Sequence, residues 1–154
     1  MAFESAKEHL RQYNLEDRIK VFETSSATVE LAARAVGTEE ARIAKSMAYD
    51  LKGETILIIL AGDARTDNRK FKDAFQAKAK MLSPEETNER IGHEQGGICP
   101  FGIKEDVKVY LDESLKRFDI VYPACGSDNS AVQLSLQELE ESSNAKGWVN
   151  ISKI

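Results

Sequence analysis

Between residues 43 and 51 apolar and polar-or-small positions alternate with period two. One parity carries Ile43, Met47, Tyr49 and Leu51; the other carries Ala44, Ser46, Ala48 and Asp50. Side chains of a strand point alternately to opposite faces, so this pattern predicts a strand and places Lys45 among its apolar set. An unpaired ammonium is costly to bury. Lys45 therefore either snorkels to solvent from near the strand end or stands as a cation at the mouth of a pocket. Lys52-Gly53 turns the chain into residues 54–60, a β-branched and leucine-rich run expected of a central strand.

The remaining pattern mixes helices and strands without strict alternation. Residues 2–13 predict an amphipathic helix with Phe3, Ala6, Leu10 and Tyr13 on one face and His9 on the solvated side. Residues 18–22 predict a short strand, and residues 28–36 a helix closed by Gly37. Gly62-Asp63 ends the central strand, and residues 67–75 form a basic helix. Residues 78–82 read as a strand. Ser83-Pro84-Glu85-Glu86 then gives a helix start with N-cap, first-turn proline and a glutamate three residues after the cap. Further strands are expected at 107–111, 119–122 and 131–136, a helix at 137–143, and an edge strand at 148–151. Closely spaced strands with helices between some of them predict an α+β fold around a mixed, largely antiparallel sheet.

At 154 residues, 42% hydrophobic and 31% charged, the chain is expected to form one domain, residues 1–154, with a sizeable core. No apolar run approaches bilayer length, and the charged N-terminus does not read as a signal peptide, which points to the cytoplasm. Two cysteines are too few for a disulfide framework. The net charge of −5 argues against a general nucleic-acid coat. The charge is uneven, however. Residues 65–80 hold Arg65, Arg69, Lys70, Lys72, Lys78 and Lys80 against Asp67 and Asp73, net +4, leaving the rest at −9. That segment is either a solvated helix face or a patch for a phosphate backbone, with Arg65, Arg69, Lys70 and Lys72 as its candidate contacts.

Two loops carry candidate chemistry. Gly96-Gly97-Ile98-Cys99-Pro100-Phe101-Gly102 puts three glycines and a proline into seven residues, which lets backbone approach a ligand and present N–H groups to an oxyanion or a ribose. A plain tight turn would have the same composition. Gly126-Ser127-Asp128-Asn129-Ser130 offers hydroxyl, carboxylate and amide groups, which also make ordinary Asx-turns. A Cys99–His93 nucleophile pair is conceivable, but a cysteine beside glycine and proline is more often structural. A zinc site from His93, Cys99 and Cys125 lacks a fourth ligand and short paired spacing. No metal and no cofactor are expected.

In order and with suitable spacing, Ser25-Ser26-Ala27-Thr28-Val29, Ala41-Arg42-Ile43-Ala44-Lys45-Ser46, Ala61-Gly62-Asp63, Gly92-His93, the 96–102 loop and Leu111-Asp112-Glu113 resemble the YbaK/EbsC family. These are freestanding relatives of the editing domain of bacterial prolyl-tRNA synthetase. The resemblance covers roughly residues 20–140 and implies an aminoacyl-tRNA deacylase acting in trans on small, wrongly attached amino acids. Its partners would be the aminoacyl-tRNA acceptor end and, in some settings, prolyl-tRNA synthetase. The family's catalytic lysine falls on Lys45 and its Gly-x-x-x-Pro loop on Gly96 to Pro100. Substrate contacts are then expected at Ser46, Gly96, Gly97, Ile98, Cys99, Pro100, Phe101 and Gly102, and at Gly126, Ser127, Asp128 and Asn129. One feature departs: residues 126–133 lack the histidine that the synthetase domains carry in this loop, which leaves the amino acid open. The reading from a different class is a non-catalytic module that binds the tRNA end or a small ligand.

Overall fold

In the computed structural model, which describes residues 2–154, the local signals set most of the elements. Helix α1 is Ala2–Arg11, followed by strand β1, Ile19–Val21. Thr28 caps α2, Val29–Val36, by accepting from the Leu31 N–H, and Gly37 closes it at φ 86°. Strands β2, Ile43–Leu51, and β3, Glu54–Ala61, form a hairpin whose turn residues Lys52 and Gly53 both have positive φ. That turn matches the right-handed twist of paired strands. A short β4, Arg65–Thr66, leads to α3, Asn68–Phe75, capped by Asp67. The Ser83–Glu86 capping box starts α4, Pro84–Ile91. Then follow β5, Lys108–Asp112; β6, Ile120–Pro123; β7, Ser130–Val132; β8, Leu134–Ser135; α5, Leu136–Ser142; β9, Trp148–Val149; and β10, Ser152–Lys153.

The fold is α+β around a mixed sheet in the order β8-β6-β2-β3-β5-β9. The β2–β3 and β6–β8 ladders are antiparallel, while β2–β6, β3–β5 and β5–β9 are parallel. Two smaller antiparallel pairs, β1–β7 and β4–β10, complete it. Strand β3 is buried from Thr55 to Ala61, as its unbroken apolar run requires. Phe71 of α3 packs on Tyr49 with ring centres 4.9 Å apart, and Phe75 meets Tyr110 edge-on at 5.2 Å. Ala6 and Leu10 of α1 are fully buried in the same core, whereas Ala32 and Ala33 of α2 close over Ile43 in a smaller cluster.

Two expected strands and the setting of one side chain differ. Residues 78–82 do not make a full strand: Met81 forms an isolated bridge to Tyr49 before Ser83 starts α4. The run 131–136 divides at Gln133, because β7 pairs with β1 and β8 with β6, and the Ser135–Glu138 capping box starts α5 at Leu136. His9 is not simply solvated; it bonds the Ser142 carbonyl at 2.6 Å and stacks on Tyr13.

The pairing along β2 opens a gap. On the edge away from β3, β6 covers only Ile43 and Ala44. Further along, the Leu82 N–H donates to the Ala48 carbonyl at 3.0 Å and the Asp50 N–H to the Lys80 carbonyl at 2.8 Å. Backbone groups of alternate strand residues face the same edge. Ser46 therefore turns its N–H and C=O toward this edge with no ladder partner among the described residues, and a cavity lies at the gap at 45–47.

Candidate active site

The cavity at that gap has a volume of about 210 Å³. Ile43 to Met47 of β2 form its floor; Ser26 to Val29, Gln95, Gly96, Ile98, Tyr122, Ala124, Ser130 and Ala131 form its walls. A second groove of about 410 Å³ adjoins it at Gln95 and runs past Phe3, Asn88, Glu94, Gly97, Gly126, Ser127 and Asp128.

Lys45 is half-buried where it lines the cavity and forms no ion pair among the described residues. Its Nζ donates to the Gly62 carbonyl at 3.4 Å, a long bond. Burial pulls its pKa below the ordinary lysine value, and the charge of Asp63 partly opposes that. Asp63 is held by Arg117 through two bonds of 3.0 and 2.6 Å, and that pairing keeps its carboxyl below the usual range. Two hydroxyls of cavity-lining residues, Ser26 Oγ and Ser46 Oγ, are buried without a partner among the described residues, the Ser46 side chain turning to the opposite face of β2 from that of Lys45. A cation and two free hydroxyls around a cavity can bind a polar, electron-rich group.

The glycines of the two loops bring backbone against backbone. The Gly126 N–H donates to the Gly97 carbonyl at 3.1 Å, and a Cβ on Gly97 would lie 2.7 Å from the Ser127 nitrogen. Any larger residue at 97 would force the loops apart. Of the expected site residues, Lys45, Ser46, Gly96 and Ile98 meet at the cavity, and Gly97, Gly126, Ser127 and Asp128 line the adjoining groove. The side chains of Cys99, Pro100 and Phe101 are buried beneath the loop, because its apolar residues plug the core. Gly102 faces a separate surface beside α1. Asn129 is committed to the fold: its side-chain amide donates to the Phe22 carbonyl at 3.1 Å and its backbone carbonyl accepts from the Phe22 N–H at 2.7 Å.

Cys99 and His93 do meet, with Sγ 3.4 Å from Nε2. They do not form a nucleophile and base. His93 Nε2 also lies 2.7 Å from the Phe101 carbonyl, an acceptor, so Nε2 carries the proton and cannot take one from sulfur. Burial pushes the Cys99 thiol far up and the His93 imidazole down. Cys125 is likewise buried, its thiol pushed up to about 12. Both environments oppose a thiolate.

Arg65, Arg69 and Lys72 are exposed, whereas Lys70 Nζ donates to the Ser152 carbonyl at 2.7 Å and so helps clasp the C-terminal segment. Lys153 stands opposite Arg65 in the β4–β10 ladder and extends the basic patch. None of these lines the cavity. Among the described residues no cluster of His, Cys, Asp or Glu is suited to a metal ion, and no helix is long and apolar enough to cross a membrane. Gln95, Tyr122 and Arg117 had not been marked by the sequence; Gln95 and Tyr122 sit in segments without a motif, and Arg117 acts across 54 residues of chain.

The arrangement is that of an editing domain: residues 23–142 match the aminoacyl-tRNA editing domain family, and the chain belongs to it. It is 51% identical, over 99% of its length and 98% of the relative's, to a Bacillus subtilis (strain 168) protein described as "Uncharacterized protein YwhH". It is 27% identical over 82% of its length to the proline–tRNA ligase of Geobacillus sp. (strain WCH70), of which it spans only 21%. The fold matches a crystal structure described as "a putative trans-editing enzyme for prolyl tRNA synthetase", with TM-score 0.89 and 24% identity over 99% of this chain and 98% of that one.

Proposed function

We propose that this chain is a single-domain, trans-acting aminoacyl-tRNA deacylase of the cytoplasm. It would remove a small amino acid of the Cys, Ala, Ser or Thr type, with tRNA(Pro) as the preferred carrier and prolyl-tRNA synthetase as a partner. The observation that carries this reading is Lys45: an ammonium of a cavity-lining residue that has no counter-ion among the described residues. Membership of the editing family makes the aminoacyl ester the natural ligand.

An aminoacyl ester is already activated, so positioning and charge stabilisation suffice for its hydrolysis. Lys45 anchors the terminal phosphate or a neighbouring oxygen by charge. The backbone N–H groups of Gly96 and Ile98 orient the carbonyl and the attacking water, that of Gly97 donating to the Glu94 carbonyl. Water adds to the ester carbon, the bond to the ribose oxygen breaks, and that oxygen takes the proton with help from the neighbouring ribose hydroxyl. For a cysteinyl ester the substrate's own thiol can attack instead, expelling the same ribose oxygen. Arg65, Arg69 and Lys72 supply a surface for the acceptor stem outside the cavity.

The test is a panel of purified Ala-, Cys-, Ser- and Thr-tRNA(Pro), with correctly charged Pro-tRNA(Pro) as control, against the wild-type chain and Cys99→Ala. Selective loss of at least one mischarged ester, retained in Cys99→Ala, is the expected result. Tight tRNA binding with no deacylation would make the chain a binding module. Complete loss in Cys99→Ala, with a trapped thioester in the wild type, would install a cysteine nucleophile.

A further inference from the structure

Lys45 has no ion-pair partner among the described residues, and Asp63, the carboxylate whose charge acts on it, is already held by Arg117. The Lys45 ammonium reaches the Gly62 carbonyl, and the next residue, Asp63, is the charged group whose field acts on it. Both Asp63 oxygens are occupied by Arg117. Arg117 is itself fixed: its Nε donates to the Ser114 carbonyl at 2.9 Å and its guanidinium lies 4.9 Å from the centre of the Phe118 ring. Ser114 in turn accepts from the Ala61 N–H at 3.0 Å, which ties the same short turn to the end of β3. Gly62 is packed closely against the Glu40 backbone, since a Cβ there would stand 2.0 Å from the Glu40 carbonyl oxygen. Glu39 and Asp112 also lie within the field of Arg117, but neither pairs with it.

Resting on the deacylase reading of the cavity, we propose that Arg117 is a positioning residue: by holding both oxygens of Asp63 it prevents that carboxylate from capturing Lys45. A planar guanidinium suits this task because it satisfies a carboxylate with two parallel bonds. An exposed ion pair of this kind adds little to stability, so its value lies in where it directs the charge. Without Arg117, Asp63 would turn to the nearest cation, and opposite charges at close range in a half-buried site hold each other firmly.

The experiment combines Arg117→Gln, Asp63→Asn and the double variant. Arg117→Gln should lower deacylation by roughly tenfold or more with little change in thermal stability, and adding Asp63→Asn should restore most of the rate, since the two residues act through one interaction. A merely structural brace predicts the reverse, a double variant no better than the single one. A second readout does not depend on turnover: the NMR titration of the Lys45 side chain. Its midpoint should rise in Arg117→Gln, where Asp63 is freed, and fall in Asp63→Asn, where it is removed. Those shifts in a chain that hydrolyses no ester would overturn the deacylase reading and leave the clamp standing. An unmoved midpoint in both variants would overturn the clamp. Should Arg117→Gln fail to fold, Arg117→Lys decides: an ammonium cannot hold both Asp63 oxygens in parallel bonds, so the Lys45 midpoint should rise, and an unmoved midpoint would overturn the clamp.

Discussion

Gly97→Ala isolates the contact between the two glycine loops. An added Cβ would stand 2.7 Å from the Ser127 nitrogen and 2.9 Å from both the Gly126 carbonyl carbon and the Ser127 Cα, all backbone. Ordinary contact begins near 3.4 Å, so the loops must part by 0.7 Å, the difference between 3.4 and 2.7. The Gly126 N–H to Gly97 carbonyl bond, now 3.1 Å, would open with them. Overpacking of this kind costs about 1–3 kcal/mol. Losing the hydrogen bond adds about 1 kcal/mol. A total near 2–4 kcal/mol lowers Tm by roughly 4–16 °C in a domain of this size. Gly147→Ala is the control, since nothing lies within 4 Å of its added Cβ and it should be neutral. Urea denaturation of both variants gives the stability; single-turnover deacylation gives the effect on the loop, where a displacement approaching 1 Å can cost about 100-fold in rate. Wild-type stability and rate in Gly97→Ala would refute the backbone clasp.

Asp112 is buried and accepts from the Ser114 N–H at 2.9 Å, the Ile151 N–H at 2.9 Å and the Ser152 hydroxyl at 2.6 Å. Asp112→Ala strands these donors and should destabilise by about 3 kcal/mol in urea denaturation, with the C-terminal segment losing amide protection first; an unchanged midpoint would contradict the clasp. Burial pulls the His93 imidazole below its ordinary pKa, against the smaller opposing effect of its bond to the Phe101 carbonyl. Below about pH 6.5 the unfolded chain then binds more protons than the folded one, so stability falls from pH 7 to pH 5 and His93→Gln should flatten that slope. An unaltered slope in the variant would place the proton linkage elsewhere. Arg69→Gln combined with Lys72→Gln should weaken binding across tRNAs and reduce the salt slope by up to roughly 2. An unchanged slope would mean the patch is only a solvated face.

Much of the local structure was legible because its causes are local. Period-two alternation exposed Lys45, Lys52-Gly53 announced the hairpin, and Ser83 to Glu86 announced α4. The family resemblance added the order of the loops. What escaped depends on residues far apart in sequence. Gln133 divides an apparently continuous strand because β1 and β6 compete for its two halves. Asp112, quoted only as part of a motif, acts on Ile151 and Ser152, and Arg117 acts on Asp63. The apolar members of the 96–102 loop looked like pocket residues, yet Cys99, Pro100 and Phe101 are worth more in the core, so only Gly96 and Ile98 reach the cavity wall.

The most direct test of the central claim is single-turnover deacylation of the preferred mischarged tRNA by Lys45→Ala and Lys45→Met, with folding checked by circular dichroism and urea denaturation. Both variants should lose deacylation while remaining at least as stable as the wild type, because the ammonium they remove is partly desolvated and unpaired within the protein. Lys45→Arg should also be poor, since a planar fork does not replace a compact ammonium. Full activity in Lys45→Ala on that substrate would contradict the account.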